Sequence, residues 1–179
     1  MEIPEPLNKK RRRIVIPFRS LFKWLVRLRR SPRAIAGGFT LGTFIAFTPT
    51  IGFQIPLVIF FATILNLNRP AAVLSVWITN AATMAPIYTF NYWVGNQFLP
   101  GPPVSEVYGT FVNIAKELVK IDIWKIQEQF TTMIALTSEI ILPLTLGSII
   151  VGLAAATLSY LLAITLIHTF LSRKQRKQL

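Results

Sequence analysis

A chain of 179 residues that is 53% hydrophobic, carries a formal net charge of +12 and contains no cysteine is far from an ordinary soluble domain, and it excludes a disulfide framework, thiol catalysis and cysteine-ligated metal. The charge is segregated: eleven of the nineteen Lys and Arg residues lie between Lys9 and Arg33 and four more between Arg173 and Lys177. Stretches 34–68, 70–105 and 140–172 carry none, and at 35, 36 and 33 residues each exceeds the ~20 that a helix needs to cross a bilayer.

Residues 1–33 read as a retained basic cytoplasmic segment, because Lys9 to Arg13 is followed by more charge and not by the apolar core of a signal peptide. Phe18, Leu21, Phe22, Leu25 and Leu28 share one helical face, with Arg19, Lys23, Arg27 and Arg30 on the adjoining one. That pattern predicts a helix lying in the membrane surface with Trp24 at headgroup level; the competing reading is a plain topology signal. Nucleic-acid binding is not expected, since the basic helix leads straight into apolar sequence.

A membrane domain is expected over 34–172. As one helix, 34–68 would measure ~52 Å against a hydrocarbon core of ~30 Å, so it must tilt, break or fold back. Thr48, Pro49, Thr50, Ile51 and Gly52 stand at its centre, followed by Gln54 and Pro56, and such residues suit a turn. Two half-helices, about 34–47 and 53–67, would make a re-entrant hairpin; the alternative is one tilted, kinked crossing.

Asn68, Arg69 and Pro70 open the next stretch with a capping signal, and it runs apolar to Leu99 as a membrane helix (70–99) kinked at Pro86. Ser75, Thr79 and Thr83 recur every four positions with Asn80 beside them, which makes one side polar, unless the hydroxyls simply bond back to their own helix. Mixed charge marks 104–138, where two amphipathic helices are expected on the outer membrane surface: one with Val104, Val107, Tyr108, Phe111, Ile114, Ala115 and Leu118 on the helical period, one starting at Asp122. The clearest span is 140–171, and the basic tail 173–179 stops it on the inside.

Lys and Arg at both ends place both termini in the cytoplasm, so the crossings are even in number. Either 34–68 or 70–99 can be the re-entrant element. Ala34, Gly38, Gly42 and Ala46 fall four apart, as do Ser148, Gly152 and Ala156, and small residues at this spacing mark close helix contacts, within the bundle or between copies. The fold class is thus an all-α integral membrane protein: a small bundle with a broken or re-entrant hairpin and amphipathic surface helices.

Gly38-Phe39, Gly42, Phe44, Pro49, Gly52, Gln54, Asn66 to Pro70, Thr79-Asn80, Thr83, Pro86 and Gly95 together resemble a bacterial family catalogued as domain of unknown function number two thousand and sixty-two. The resemblance spans about Arg33 to the last helix. Ala81 departs from it, because the family pattern puts Pro after the Asn, which casts the helix break there into question and leaves Pro86 as the kink. It implies a bacterial inner-membrane protein of undefined activity. Relatives joined to glycosyltransferase-like domains imply a link to lipid-linked sugar or envelope metabolism.

No catalytic constellation is visible: the apolar stretches hold no Asp, Glu or Cys, the single His168 reads as a surface imidazole, and Glu139 fits the first turn of a helix. Neither a cofactor nor a metal is expected. Broken half-helices at membrane depth need protein or a cavity around their unpaired backbone. Arg69, the only cation between Ala34 and Ser105, belongs near an interface or an anion, and guanidinium grips phosphate through two parallel bonds. The expectation is binding or translocation of an anionic lipid or lipid-linked phosphate by Thr48, Pro49, Gly52, Gln54, Asn66, Arg69, Asn80, Thr83 and Pro86. The alternative is a non-transporting scaffold for an envelope-biosynthesis enzyme, and the expected partners are the lipid membrane, an anionic headgroup, and a second copy or membrane protein.

Overall fold

The computed structural model describes residues 31–175 apart from 121–137, and the described residues are all-helical. The surface helix expected around Arg19, Lys23, Trp24, Arg27 and Arg30, the helix expected from Asp122 and the last four residues of the tail lie outside them.

Helix α1 (Pro32–Phe47) begins where the sequence supplies a start signal: the Ser31 side chain accepts from Ala34 N at 3.2 Å, and Pro32 takes the first position, where its missing N–H costs nothing. The chain then turns through 48–53, using Gly52 at a φ of 84°, a conformation in which a Cβ would be strained. It returns as α2 (Gln54–Ile64). Asn66, at a φ of 53°, closes α2 in a Schellman turn, with Leu67 N donating to Ala62 O at 2.8 Å and Asn66 N to Thr63 O at 3.2 Å. Asn68 caps α3 (Arg69–Val76) by accepting from Ala71 N at 2.9 Å, with Pro70 in the first turn.

Where the sequence suggested one helix over 70–99 kinked at Pro86, the structure has two. The ladder stops after Val76 and resumes in α4 (Met84–Asn96). Side chains in between offer the backbone better partners: Asn80 Oδ1 accepts from Ala82 N at 2.9 Å and Thr83 N at 3.3 Å, while Thr83 Oγ1 accepts from Asn80 N at 3.0 Å and donates to Ile78 O at 2.7 Å. The break therefore forms with Ala81 in place, without a proline. Pro86, third in α4, occupies a first-turn position where no helical N–H bond is lost. Helices α5 (Val104–Lys120) and α6 (Ser138–Gln175) complete the bundle.

Helix α3 lies parallel to α1: Asn68 N donates to Ala34 O at 2.9 Å at one end, and Thr79 Oγ1 to Ala46 O at 2.6 Å at the other. The small stripe on α1 makes this possible, since a Cβ at Gly38 would strike Asn68 O and Ala71, and one at Gly42 would strike Ala72 O and Ser75. α6 runs antiparallel to α1, with Ile35 and Ala36 against Ala163 and Ile167, Thr43 Oγ1 donating to Ser159 Oγ at 3.1 Å, and Gly152 beneath Phe44 and Phe47. Buried Ala156 lies between these levels. Further along α6, α4 takes over from α1. The two short helices thus stand end to end beside one of 38 residues, ~57 Å long. α5 covers α4, packing Val107 and Phe111 on Met84, Tyr88 and Tyr92.

Outside this core the surface is unusually apolar. Phe60, Ile64, Leu158 and Leu162 are 59%, 59%, 61% and 64% exposed, and Trp77 is 67% exposed. Among the described residues one helix, Glu139–Phe170, is long and apolar enough to cross a membrane by length and composition.

Candidate functional site

The point at which α1 stops is the chemical centre of the bundle. A helix end leaves its last carbonyls without intrahelical donors, and burying them unpaired is costly. Here the carbonyls of Ala46, Phe47 and Thr48 find side chains from other segments, and that of Ile45 finds Thr48. Ala46 O accepts from Thr79 Oγ1 at 2.6 Å and Gln54 Nε2 at 3.5 Å. Phe47 O accepts from Asn91 Nδ2 at 2.8 Å, and Thr48 O from the Tyr88 hydroxyl at 2.8 Å and Gln54 Nε2 at 3.5 Å. Ile45 O accepts from Thr48 Oγ1 at 2.7 Å, and Thr50 Oγ1 lies 3.1 Å from Thr48 Oγ1.

Behind this first ring, Asn91 Nδ2 also donates to Ser148 Oγ of α6 at 3.1 Å, and Gln54 Nε2 to the Tyr88 hydroxyl at 3.3 Å. Gln54, Thr79, Tyr88, Asn91 and Ser148 are all buried. The turn 48–53, the break 77–83, α4 and the first third of α6 are thereby tied into one polar junction inside an apolar bundle. Asn91 Oδ1 is buried with no hydrogen-bond partner.

The nine residues expected to line one site fall into separate places. Thr48 and Gln54 belong to the junction, with Pro49 and Gly52 shaping its turn. Asn80 and Thr83 bond to each other and to the local backbone, and Pro86 stands two residues before Tyr88 in α4. Asn66 and Arg69 stand at the far end of α2, ~16 Å of helix away. Asn66 serves there as a left-handed helix terminator. Arg69 is exposed, and the bond from Asn68 N to Ala34 O brings it to the same end of the bundle as exposed Arg33. Exposed His168, next to Ile167 in the Ile35 cluster, stands at that end too.

Sequence reasoning missed Tyr88 and Asn91, which carry the junction with Gln54. A signal existed: Asn91 is a full carboxamide inside an apolar helix, three residues after a tyrosine, so the two share a face. Ser148 was expected only as a small packing residue and also accepts a hydrogen bond. Of the polar stripe Ser75, Thr79 and Thr83, only Ser75 bonds back to its own helix, to Ala71 O at 3.1 Å. Gly95 and Gly147 form a close crossing outside both expected stripes.

A family model described as "Uncharacterized protein conserved in bacteria (DUF2062)" matches residues 16–176. No curated protein and no solved structure matches the chain.

Proposed function

We propose that this chain, which belongs to the bacterial family DUF2062, is a multi-pass inner-membrane protein that binds, and in moving would translocate, an anionic lipid or lipid-linked phosphate at its basic end. The observation that carries this reading is a buried polar junction inside a bundle whose outer surface is largely apolar. In water such a surface would be costly, whereas in lipid it is the expected exterior.

On this reading α1 and α2 form a re-entrant hairpin. The sixteen residues of α1 reach ~24 Å, short of the ~30 Å hydrocarbon core, and α4 continues the path. The junction replaces the water that the broken helix end would otherwise need. Arg33 and Arg69, at the end where the basic segments 9–33 and 173–177 leave the bundle, mark the cytoplasmic face. Their guanidinium groups supply parallel donors for phosphate oxygens, and each contributes ~1 kcal/mol to attraction for an anionic surface.

The test uses full-length protein in nanodiscs and a fluorescent phosphatidylglycerol, with an uncharged diacylglycerol as control. Arg33→Ala with Arg69→Ala is expected to lower retention of the anionic lipid about thirtyfold and leave the uncharged lipid unchanged. Equal retention of the anionic lipid by wild type and the double variant would defeat the assignment. The scaffold reading draws no support from the small-residue stripes, because Gly38, Gly42 and Gly152 are filled by this chain's own helices.

A further inference from the structure

The junction hydrogen bonds do not close evenly. Gln54 Nε2 has two hydrogens and three oxygens around it, Ala46 O at 3.5 Å, Thr48 O at 3.5 Å and the Tyr88 hydroxyl at 3.3 Å, all at the long limit of a hydrogen bond. Asn91 has the opposite fault. Its Nδ2 is fully used, on Phe47 O and Ser148 Oγ, while Oδ1 is buried and has no donor. A buried carboxamide oxygen left without a partner needs an explanation.

We propose that the junction at the end of α1 is a binding site for one dehydrated alkali-metal cation, held by Asn91 Oδ1, Ser148 Oγ and the carbonyl oxygens of Phe47 and Thr48. The terminal torsion of a carboxamide is roughly two-fold, so a half-turn of Asn91 exchanges Nδ2 and Oδ1 without moving the helix. Oδ1 then stands beside Phe47 O and Ser148 Oγ. Oxygens brought together at the negative end of a helix repel one another unless a cation lies among them.

Donor chemistry sets the class of ion. Every group at the junction is neutral and carries an oxygen: the backbone carbonyls of residues 45–48, the hydroxyls of Thr48, Thr50, Thr79 and Ser148, the phenol of Tyr88 and two carboxamides. Among the described residues no group of three His, Asp or Glu side chains is placed to hold a metal. Divalent ions favour carboxylates, whereas half-helix ends and unwound carbonyls inside membranes suit a monovalent ion. The site is independent of the lipid reading, since it shares no residue with Arg33 and Arg69.

The experiment follows thermal unfolding of the full-length protein in nanodiscs of zwitterionic lipid, at constant ionic strength, in sodium, potassium or choline chloride. A saturable rise of the midpoint in sodium or potassium, absent in choline, is expected, and the salt that produces it identifies the ion. Ser148→Ala removes one ligand and keeps the close packing, so the concentration needed for half the rise should increase about tenfold or more. Asn91→Asp adds a formal charge at the unpartnered oxygen and should lower that concentration. Identical midpoints in the three salts for the wild type would overturn the proposal, as would a sodium or potassium response unchanged in Ser148→Ala. The wild-type comparison decides even if Asn91→Asp does not fold.

Discussion

Gly95 of α4 and Gly147 of α6 face each other so closely that a Cβ built on either would land on the other's helix: on Pro143 O and Gly147 N in one case, on Asn91 O and Gly95 N in the other. This crossing sets the height at which Asn91 meets Ser148, and so it positions the polar junction. Pro143 sits inside α6 at the same crossing and is itself buried.

Gly95→Ala and Gly147→Ala should each push backbone against backbone, where no side chain can yield, and lose about 3 kcal/mol or more. Thermal melts of the purified protein in detergent check this. Gly152→Ala should be far milder, because its new Cβ would sit 3.3 Å from the Phe44 ring, which can shift.

Thr79→Val should cost about 1–3 kcal/mol by leaving Ala46 O with only the long contact from Gln54. Ser75→Ala, four residues earlier, should change stability by less than about 0.5 kcal/mol, since Ser75 bonds only within its own helix. Paired denaturation curves separate a hydroxyl that seals the junction from one that does not.

Gly109→Ala should stabilise the protein by about 0.5–1 kcal/mol, because α5 is helical there and nothing lies within 4 Å of the new Cβ. Gly52→Ala should destabilise by about 1–2 kcal/mol, the strain of an alanine at a φ of 84°. Opposite signs for the same chemical change, read from melting midpoints, test whether the turn at 48–53 has the described backbone.

Asn66→Gly should be close to neutral, whereas Asn66→Val should lose about 1–2 kcal/mol, because a branched residue resists the left-handed conformation that closes α2. Lipid retention should be unchanged in Asn66→Gly. A specific loss of anionic-lipid binding there would restore Asn66 to a binding role and contradict its reading as a helix terminator.

Much of the helical plan was legible because it is written in local chemistry. Asn68 with Pro70 announces a helix start, and the residues from Thr48 to Gly52 announce a turn, whereas the start signal of Ser31 with Pro32 went unread. Spacing four apart revealed that Gly38, Gly42 and Gly152 are contact positions. The partner of each stripe was not legible, since two self-similar stripes can pair with each other, with a third helix or with another copy. In fact the first meets α3.

The break before α4 was misplaced because proline is the loudest breaker in a sequence and Asn80 with Thr83 a quieter one. Pro86 lies in a first turn, where it breaks nothing. The site was harder still. Arg69 and Gln54 both stand out as polar residues in apolar surroundings, yet one is at the bundle's edge and the other is buried in its centre, a distinction that only tertiary packing makes. Asn91 and Tyr88 gain their meaning from carbonyls more than forty residues earlier in one case and forty in the other.

The central claim is that the apolar exterior faces lipid, with the hairpin entering and leaving on the cytoplasmic side. Since the chain has no cysteine, single introduced thiols report alone. Arg69→Cys, Phe60→Cys and Thr50→Cys would be probed in intact cells with a membrane-impermeant maleimide, before and after permeabilisation of the inner membrane. The account predicts that Arg69→Cys reacts only after permeabilisation and that Phe60→Cys, although more than half exposed on the bundle, stays unreactive in both. It also predicts no labelling of Thr50→Cys from outside greater than that of Phe60→Cys. Ready labelling of Phe60→Cys by the aqueous reagent, or of Arg69→Cys in intact cells, would contradict it.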